Sequence, residues 1–226
     1  MIGGEIRARV FRDTKEFYAT FPPASVAHSL IRFVRTHAGM KILDLGCATG
    51  NYCVHLSLRG YTMTGADIHP GYVQAARTRG VDAHLVGEGP LPFADRSFDS
   101  VLLFEVLEHL ENPDALLAEA RRVTRRNVLV TVPHCGGMEE LQRQGLLFEH
   151  VADLDHRNFF TAETLRALLL RHFPHVQVRP GDGINPVALF RNRAIRLAGR
   201  LLVRLGLLRP AYYFRLFAVA GFEHSP

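Results

Sequence analysis

The sequence predicts an α/β protein built on one mostly parallel sheet with helices on both faces. Three observations carry this. Seven short apolar, β-prone runs alternate with longer stretches of helical periodicity. A glycine-bearing turn, Gly46 to Gly50, lies between the first of these runs and a helical stretch. An acid, Asp67, ends the second run, 21 positions after Gly46.

The elements follow in order. Residues 1–36 precede the first strand, and Ser25 to Thr36 is an amphipathic helix candidate with Val26, Leu30, Ile31 and Val34 on its apolar side. It is expected either to form a lid or simply to pack on the sheet. The strands are expected at Lys41–Leu45, Tyr61–Asp67, Ala83–Val86, Ser100–Phe104, Asn127–Val132, Val176–Arg179 and Phe214–Ala220. Helices are expected at Asn51–Arg59, Gly71–Arg79, Asn112–Val123 and Thr161–Leu170. The last opens on Thr161, with Thr164 three positions on and Glu163 in the first turn, where an acid suits the helix dipole. Strands that alternate with helices bind ligands at their carboxyl ends.

Composition narrows the function classes. The chain has 226 residues, 47% of them hydrophobic, enough for one domain with an appendage. Three cysteines, Cys47, Cys53 and Cys135, form no CxxC pair, which argues against a disulfide framework or thiolate zinc site. The N-terminus lacks the apolar core of a signal peptide, and no apolar run approaches the roughly 20 residues of a membrane span. A cytoplasmic protein is expected, with a peripheral position at the inner membrane surface as an alternative. The net charge of +5 is uneven: seven arginines and no acid lie between Gly183 and Phe222, so the remainder carries −2.

The sharpest motif is Asp44-Leu45-Gly46-Cys47-Ala48-Thr49-Gly50. Glycines at a strand–helix turn let the backbone approach a ligand, and the helix start offers free N–H groups. Asp67 stands where an acid can hold both ribose hydroxyls of an adenosine. The G-x-G-x-x-G spacing of NAD dehydrogenases is not met.

Over roughly Lys41 to Phe173 the chain resembles the class I methyltransferases that use S-adenosylmethionine (SAM), especially small-acceptor enzymes. DLGCATG is similar to their first motif, with Ala48 where glycine is commoner; GADIHPGYVQAAR is similar to their second; Leu91 to Val123 matches closely. The resemblance implies a Rossmann-like seven-stranded sheet with an antiparallel last strand, and SAM as cofactor. It implies Asp44, Gly46, Cys47, Gly50, Asp67, Ile68, Glu88 and Phe104 as cofactor contacts, with Asp67 on the ribose and Ile68 on the adenine. Glu88 is the candidate for the adenine amino group, although its loop is one residue shorter than the pattern.

Methyl transfer needs an aligned acceptor and, for a hydroxyl, a base. Glu105, Glu108 and His109 follow the fourth strand at i, i+3 and i+4, a spacing that faces one way on a helix. His134 ends the fifth strand, and His150, Asp153, Asp155 and His156 follow. The Glu-x-x-Glu-His pattern resembles metal-dependent branches of the family, the small-RNA ribose methyltransferases and ubiquinone-pathway O-methyltransferases. Carried over, Glu105, Glu108, His109 and His156 would bind a divalent metal. Without a metal, His109, His156 and Glu105 remain the catalytic candidates. Val132 to Leu169 is similar to methyltransferases encoded beside glycan-building enzymes, which favours a sugar hydroxyl as acceptor.

The expected organisation is an N-terminal helical segment over 1–36 and a SAM-binding domain over 37–226, with a basic helical insertion at 184–213. Arg193, Arg196, Arg200 and Arg204 recur there at helical spacing, beside Leu197, Leu201, Leu202 and Leu205. The leucines pack on the domain, or the segment, through 191–209, meets a membrane surface or a lipid-linked substrate; oligomer contacts and nucleic acid are the remaining readings. The reading is a methyltransferase for a small-molecule or glycan hydroxyl. The alternatives are a metal-dependent RNA 2′-O-methyltransferase and a non-catalytic binding module. Nucleic acid is the less favoured partner, since clustered arginines are its only sign.

Overall fold

A computed structural model describes residues 26–87, 89–135, 156–184, 193–207 and 212–222. Glu88, His150, Asp153 and Asp155, with residues 1–25 of the N-terminal segment, lie outside the described residues.

The chain opens on α1 (His28–His37), then β1 (Lys41–Leu45), α2 (Asn51–Ser57), β2 (Thr62–Asp67), α3 (Pro70–Thr78), β3 (Asp82–Leu85) and β4 (Phe98–Phe104). A 3₁₀ turn (Leu107–His109), α4 (Pro113–Val123) and β5 (Thr124–Pro133) follow. The remainder is α5 (Ala162–Leu170), β6 (His175–Ile184), α6 (Arg193–Arg204) and β7 (Tyr212–Gly221). The seven strands form one sheet in the order β3-β2-β1-β4-β5-β7-β6. β1 to β5 run parallel, and β7 runs antiparallel to both β5 and β6. Each strand seen in the sequence is present, β1 with the same ends and the others with ends moved by one to five residues. The largest extensions are in β5, whose added Thr124 pairs with Phe98 of β4, and in β6 and β7, whose added residues complete the antiparallel ladder.

Side-chain alternation divides the sheet between two cores. Ile42, Leu102 and Leu129 face one side, where α1 brings Leu30, Phe33 and Val34, α2 brings Cys53 and Leu56, and α3 brings Val73 and Ala76. Leu43, Leu45, Val101, Leu103, Val128 and Val130 face the other, under Leu117 and Ala120 of α4 and Leu165 and Leu169 of α5. The α1 helix is therefore part of one core. α5 starts on a reciprocal cap: the Thr164 N–H donates to Thr161 Oγ1 at 3.2 Å, and the Thr161 N–H to Thr164 Oγ1 at 2.9 Å. No described helix is long and apolar enough to cross a membrane.

A buried polar clamp ties the amino ends of the central strands to α1. Asn127 Nδ2 donates to the His37 carbonyl at 2.9 Å. Ser100 Oγ donates to Asn127 Oδ1 at 2.7 Å and accepts from the Gly39 N–H at 2.9 Å. Asn127→Ala is expected to leave both the His37 carbonyl and Ser100 short of a partner. It should cost about 1–3 kcal/mol in urea unfolding while leaving the opposite end of the sheet intact.

Candidate active site at the carboxyl ends of the strands

The turn after β1 is held in a shape that few side chains tolerate. Gly46 has φ +80°, Ala48 φ +46° and Gly50 φ +78°. A Cβ on Gly46 would lie 2.6 Å from Val106 Cγ2, so the turn and the loop after β4 press together there. The Gly46 and Cys47 N–H groups both donate to the Ala66 carbonyl, at 2.8 and 3.1 Å, which draws the turn onto β2. Arg79 locks the far side, donating from Nη1 to the Thr49 carbonyl at 2.5 Å and to Asn51 Oδ1 at 2.6 Å. The sequence reading missed Arg79, because its partners lie about thirty positions away.

Two carboxylates meet at this turn by different means. Asp67 is buried and accepts the Ala48 N–H at 2.9 Å on one oxygen and the His69 N–H at 2.8 Å on the other. A carboxylate has about four acceptor sites, so two remain for another donor pair. Ile68, beside it, is 72% exposed, an apolar surface next to the acid. Asp44 is buried and accepts a hydrogen bond from Cys53 Sγ at 3.4 Å. Burial pushes its carboxyl up to about 7; the thiol hydrogen bond opposes this and the nearby Asp67 carboxylate adds to it. Cys47 turns inward against Gly65, where a Cβ would lie 2.8 Å from its sulfur. Burial, then the charges of Asp44 and Asp67, push that thiol well above its ordinary range, so it is a packing group. Phe104, at the end of β4, is buried with Tyr52 and Phe33 in edge and tilted ring contacts at 5.6 and 6.3 Å.

Beyond β4 the candidate residues separate. Glu105 has φ +55° and donates its N–H to the Thr131 carbonyl at 2.9 Å, continuing the line of β4. Its carboxylate accepts from Arg215 Nε of β7 at 3.1 Å, and Arg215 Nη1 reaches Asp182 Oδ2 at 2.7 Å. Glu105 therefore does not share a helical face with Glu108 and His109. Helical backbone begins only at Leu107, and the left-handed residue turns Glu105 toward the antiparallel strands.

Glu108, His109 and His156 do come together. One ligand atom from each lies within 4.8 Å of the others, Glu108 is buried, and the two imidazole rings stand 4.8 Å apart edge to face. Among the described residues this set excludes Glu105. Asn158 closes the 47 positions between the histidines: its Nδ2 donates to the Leu107 and Leu110 carbonyls at 3.1 and 2.6 Å. The Arg157 and Asn158 N–H groups donate to the Glu108 carbonyl at 2.7 and 2.9 Å, and Arg157 pairs with Glu111. His134 is held elsewhere, with Nδ1 3.3 Å from the Tyr213 carbonyl and a bridge to Phe160.

Two expectations follow from this geometry. Asn158→Ala should speed hydrogen exchange at the Arg157 and Asn158 amides by at least tenfold, because their loop loses its two anchoring bonds to the 3₁₀ turn; unchanged protection would contradict the tether. Asp44, with its folded pKa raised, favours the protonated form in the fold. Its contribution is present below the unfolded carboxylate range near pH 4 and is lost as pH rises through about 7. The urea midpoint of the free protein should therefore fall between about pH 5 and pH 8, with a shallower fall in Asp44→Asn.

Comparison with known proteins agrees with this layout. Residues 43–132 match the model of a methyltransferase domain family. A malonyl-[acyl-carrier protein] O-methyltransferase of Serratia marcescens is 30% identical over 206 residues, 83% of this chain and 79% of that protein. A demethylmenaquinone methyltransferase of Tropheryma whipplei is 36% identical over 93 residues, 39% of this chain and 38% of that protein. Among solved structures, a SAM-dependent methyltransferase from Archaeoglobus fulgidus superposes with a TM-score of 0.63 at 17% identity, covering 97% of this chain and 99% of that one. The strained turn, the acid at the end of β2 and the β7–β6 edge thus stand in a chain that belongs to the class I SAM-dependent methyltransferases.

Proposed function

We propose that this enzyme methylates an oxygen of a small acceptor, with a glycan hydroxyl as the first candidate. The observation that carries the reading is the convergence of Glu108, His109 and His156 just past β4. The relative aligned along most of this chain is named for O-methylation, whereas the demethylmenaquinone relative aligns over only 39% of it. The similarity of Val132 to Leu169 to methyltransferases encoded beside glycan-building enzymes favours the sugar.

In this reading the cofactor lies across the turn after β1. Asp67 takes the ribose hydroxyls on its remaining acceptor sites, Ile68 packs on the adenine, and Gly46 and Gly50 let the chain approach closely. Asp44 faces the positively charged end of the cofactor, where its ionised form gains a counter-charge. Cys47 contributes backbone, since its thiol is turned inward, and Phe104 forms the floor between α1 and α2. The acceptor oxygen attacks the sulfonium methyl in line; the carbon–sulfur bond breaks and its electron pair stays on sulfur. The acceptor proton passes to His109 or His156, and buried Glu108 favours the resulting imidazolium.

A second reading places a divalent metal on Glu108, His109 and His156. One carboxylate and two imidazoles are a workable donor set with open positions, and the 4.8 Å limit on their separations suits a shared ion. Such an ion would lower the acceptor hydroxyl's pKa. Glu105 is outside this set because Arg215 already neutralises it.

Asp67→Ala is expected to weaken SAM binding at least tenfold, about 1.4 kcal/mol, in calorimetry; unchanged affinity would contradict the ribose assignment. His109→Ala and His156→Ala should separate the base. The true base should lose roughly 10²–10⁴ in kcat with a glycan acceptor, while SAM affinity stays within about twofold. Chelator treatment that abolishes turnover, restored by added metal, would favour the second reading.

A further inference from the structure

The segment joining β6 to β7 leaves the sheet on the side of the site. Gly183 and Ile184 pair with Tyr213 and Tyr212 at its root, and two residues on, Arg215 pairs with Pro133 at the carboxyl end of β5. The same Arg215 holds Glu105. The segment's helix, α6, ends at Arg204, and Gly206, two positions on, has a φ of +71° that suits a helix stop.

The exposed face of α6 is apolar. Leu197, Leu201 and Leu205 are 71, 56 and 61% exposed and recur every four residues, which aligns them in one stripe. Leu202 and, beyond the helix, Leu207 are exposed as well. Gly199, two positions from both Leu197 and Leu201 and so toward the other side of the helix, is buried. The leucines of this stripe are therefore not used in packing against the described part of the domain. The sequence adds Arg193, Arg196, Arg200 and Arg204 within the helix, flanked by Arg191 and Arg209, with no acid between Gly183 and Phe222.

We infer that α6 is a membrane-surface anchor: it lies along an anionic bilayer, with its leucine stripe at the acyl boundary and its arginines among the lipid phosphates. Charge and polarity select this occupant. An anionic bilayer supplies an apolar layer and negative charge side by side, as an amphipathic basic helix requires. A second copy of the chain would place one acid-free arginine segment against another, and like charges oppose that contact. Nucleic acid offers phosphates but no apolar layer for five exposed leucines. The helix has only 12 residues, so it lies on the surface and does not cross the bilayer. Docking there would turn the carboxyl edge of the sheet, and its acceptor end, toward the lipid. The binding itself is independent of which acceptor the enzyme uses.

Vesicle flotation of the full chain tests this, with phosphatidylcholine alone and with phosphatidylcholine plus phosphatidylglycerol. The chain should float with the anionic vesicles at least tenfold more than with the neutral ones, and high salt should weaken that preference. The triple variant L197E/L201E/L205E should lose at least tenfold of the anionic partitioning while keeping its SAM affinity in calorimetry, which shows that it is folded. Absence of flotation, equal flotation with neutral vesicles, or full retention in the leucine variant would overturn the proposal. So would a concentration-dependent dimer in light scattering that the leucine substitutions abolish, since the stripe would then be a contact between copies. Homopolymer RNA bound equally by the wild type and the leucine variant, with no vesicle binding, would also overturn it.

Discussion

The structure turns on carboxylates held at the carboxyl edge of a parallel sheet. Such groups are costly to bury as anions unless something nearby compensates. Asp67 is compensated by two backbone N–H groups, and that requirement shapes the β1 turn: Ala48 can donate only because the chain passes through left-handed conformations at Gly46, Ala48 and Gly50. Burial raises the Asp44 carboxyl to about 7, against the opposing thiol hydrogen bond from Cys53. Glu105 is compensated by Arg215, a residue of the antiparallel edge. The edge strands thus act on the site as well as closing the sheet.

In the proposed reading, that division gives the cofactor end and the acceptor end of the site different physics. The cofactor end is stiff and backbone-defined, with Arg79 and the Ala66 carbonyl fixing the turn. The acceptor end is built from side chains brought together over long sequence separations, so its geometry depends on anchors such as Asn158. An enzyme family that keeps one cofactor and changes acceptors is served by this arrangement, since acceptor-end residues can vary without disturbing the turn.

Much of the fold was legible in the sequence because it rests on short-range signals. Short apolar, β-prone runs located all seven strands, and the Thr161–Thr164 pair located the start of α5. The turn and Asp67 were legible for the same reason. The acceptor end was legible only in part. The i, i+3, i+4 spacing of Glu105, Glu108 and His109 suggested one helical face, but a positive φ at Glu105 breaks the helix before it starts. Nothing local in the sequence marks that conformation, and the partner that stabilises it, Arg215, lies 110 positions away. Arg79 and Asn158 escaped notice similarly, as their partners are carbonyls whose positions only the tertiary fold decides.

In the proposed reading one cleft joins the β1 turn to the Glu108–His109–His156 group, with the methyl donor between them. A crystal structure with S-adenosylhomocysteine tests it most directly. Both ribose hydroxyls should lie within hydrogen-bond distance of the Asp67 carboxylate, with the sulfur facing the two imidazoles and room for one acceptor oxygen. A ribose held elsewhere, or a sulfur directed away from His109 and His156, would contradict it.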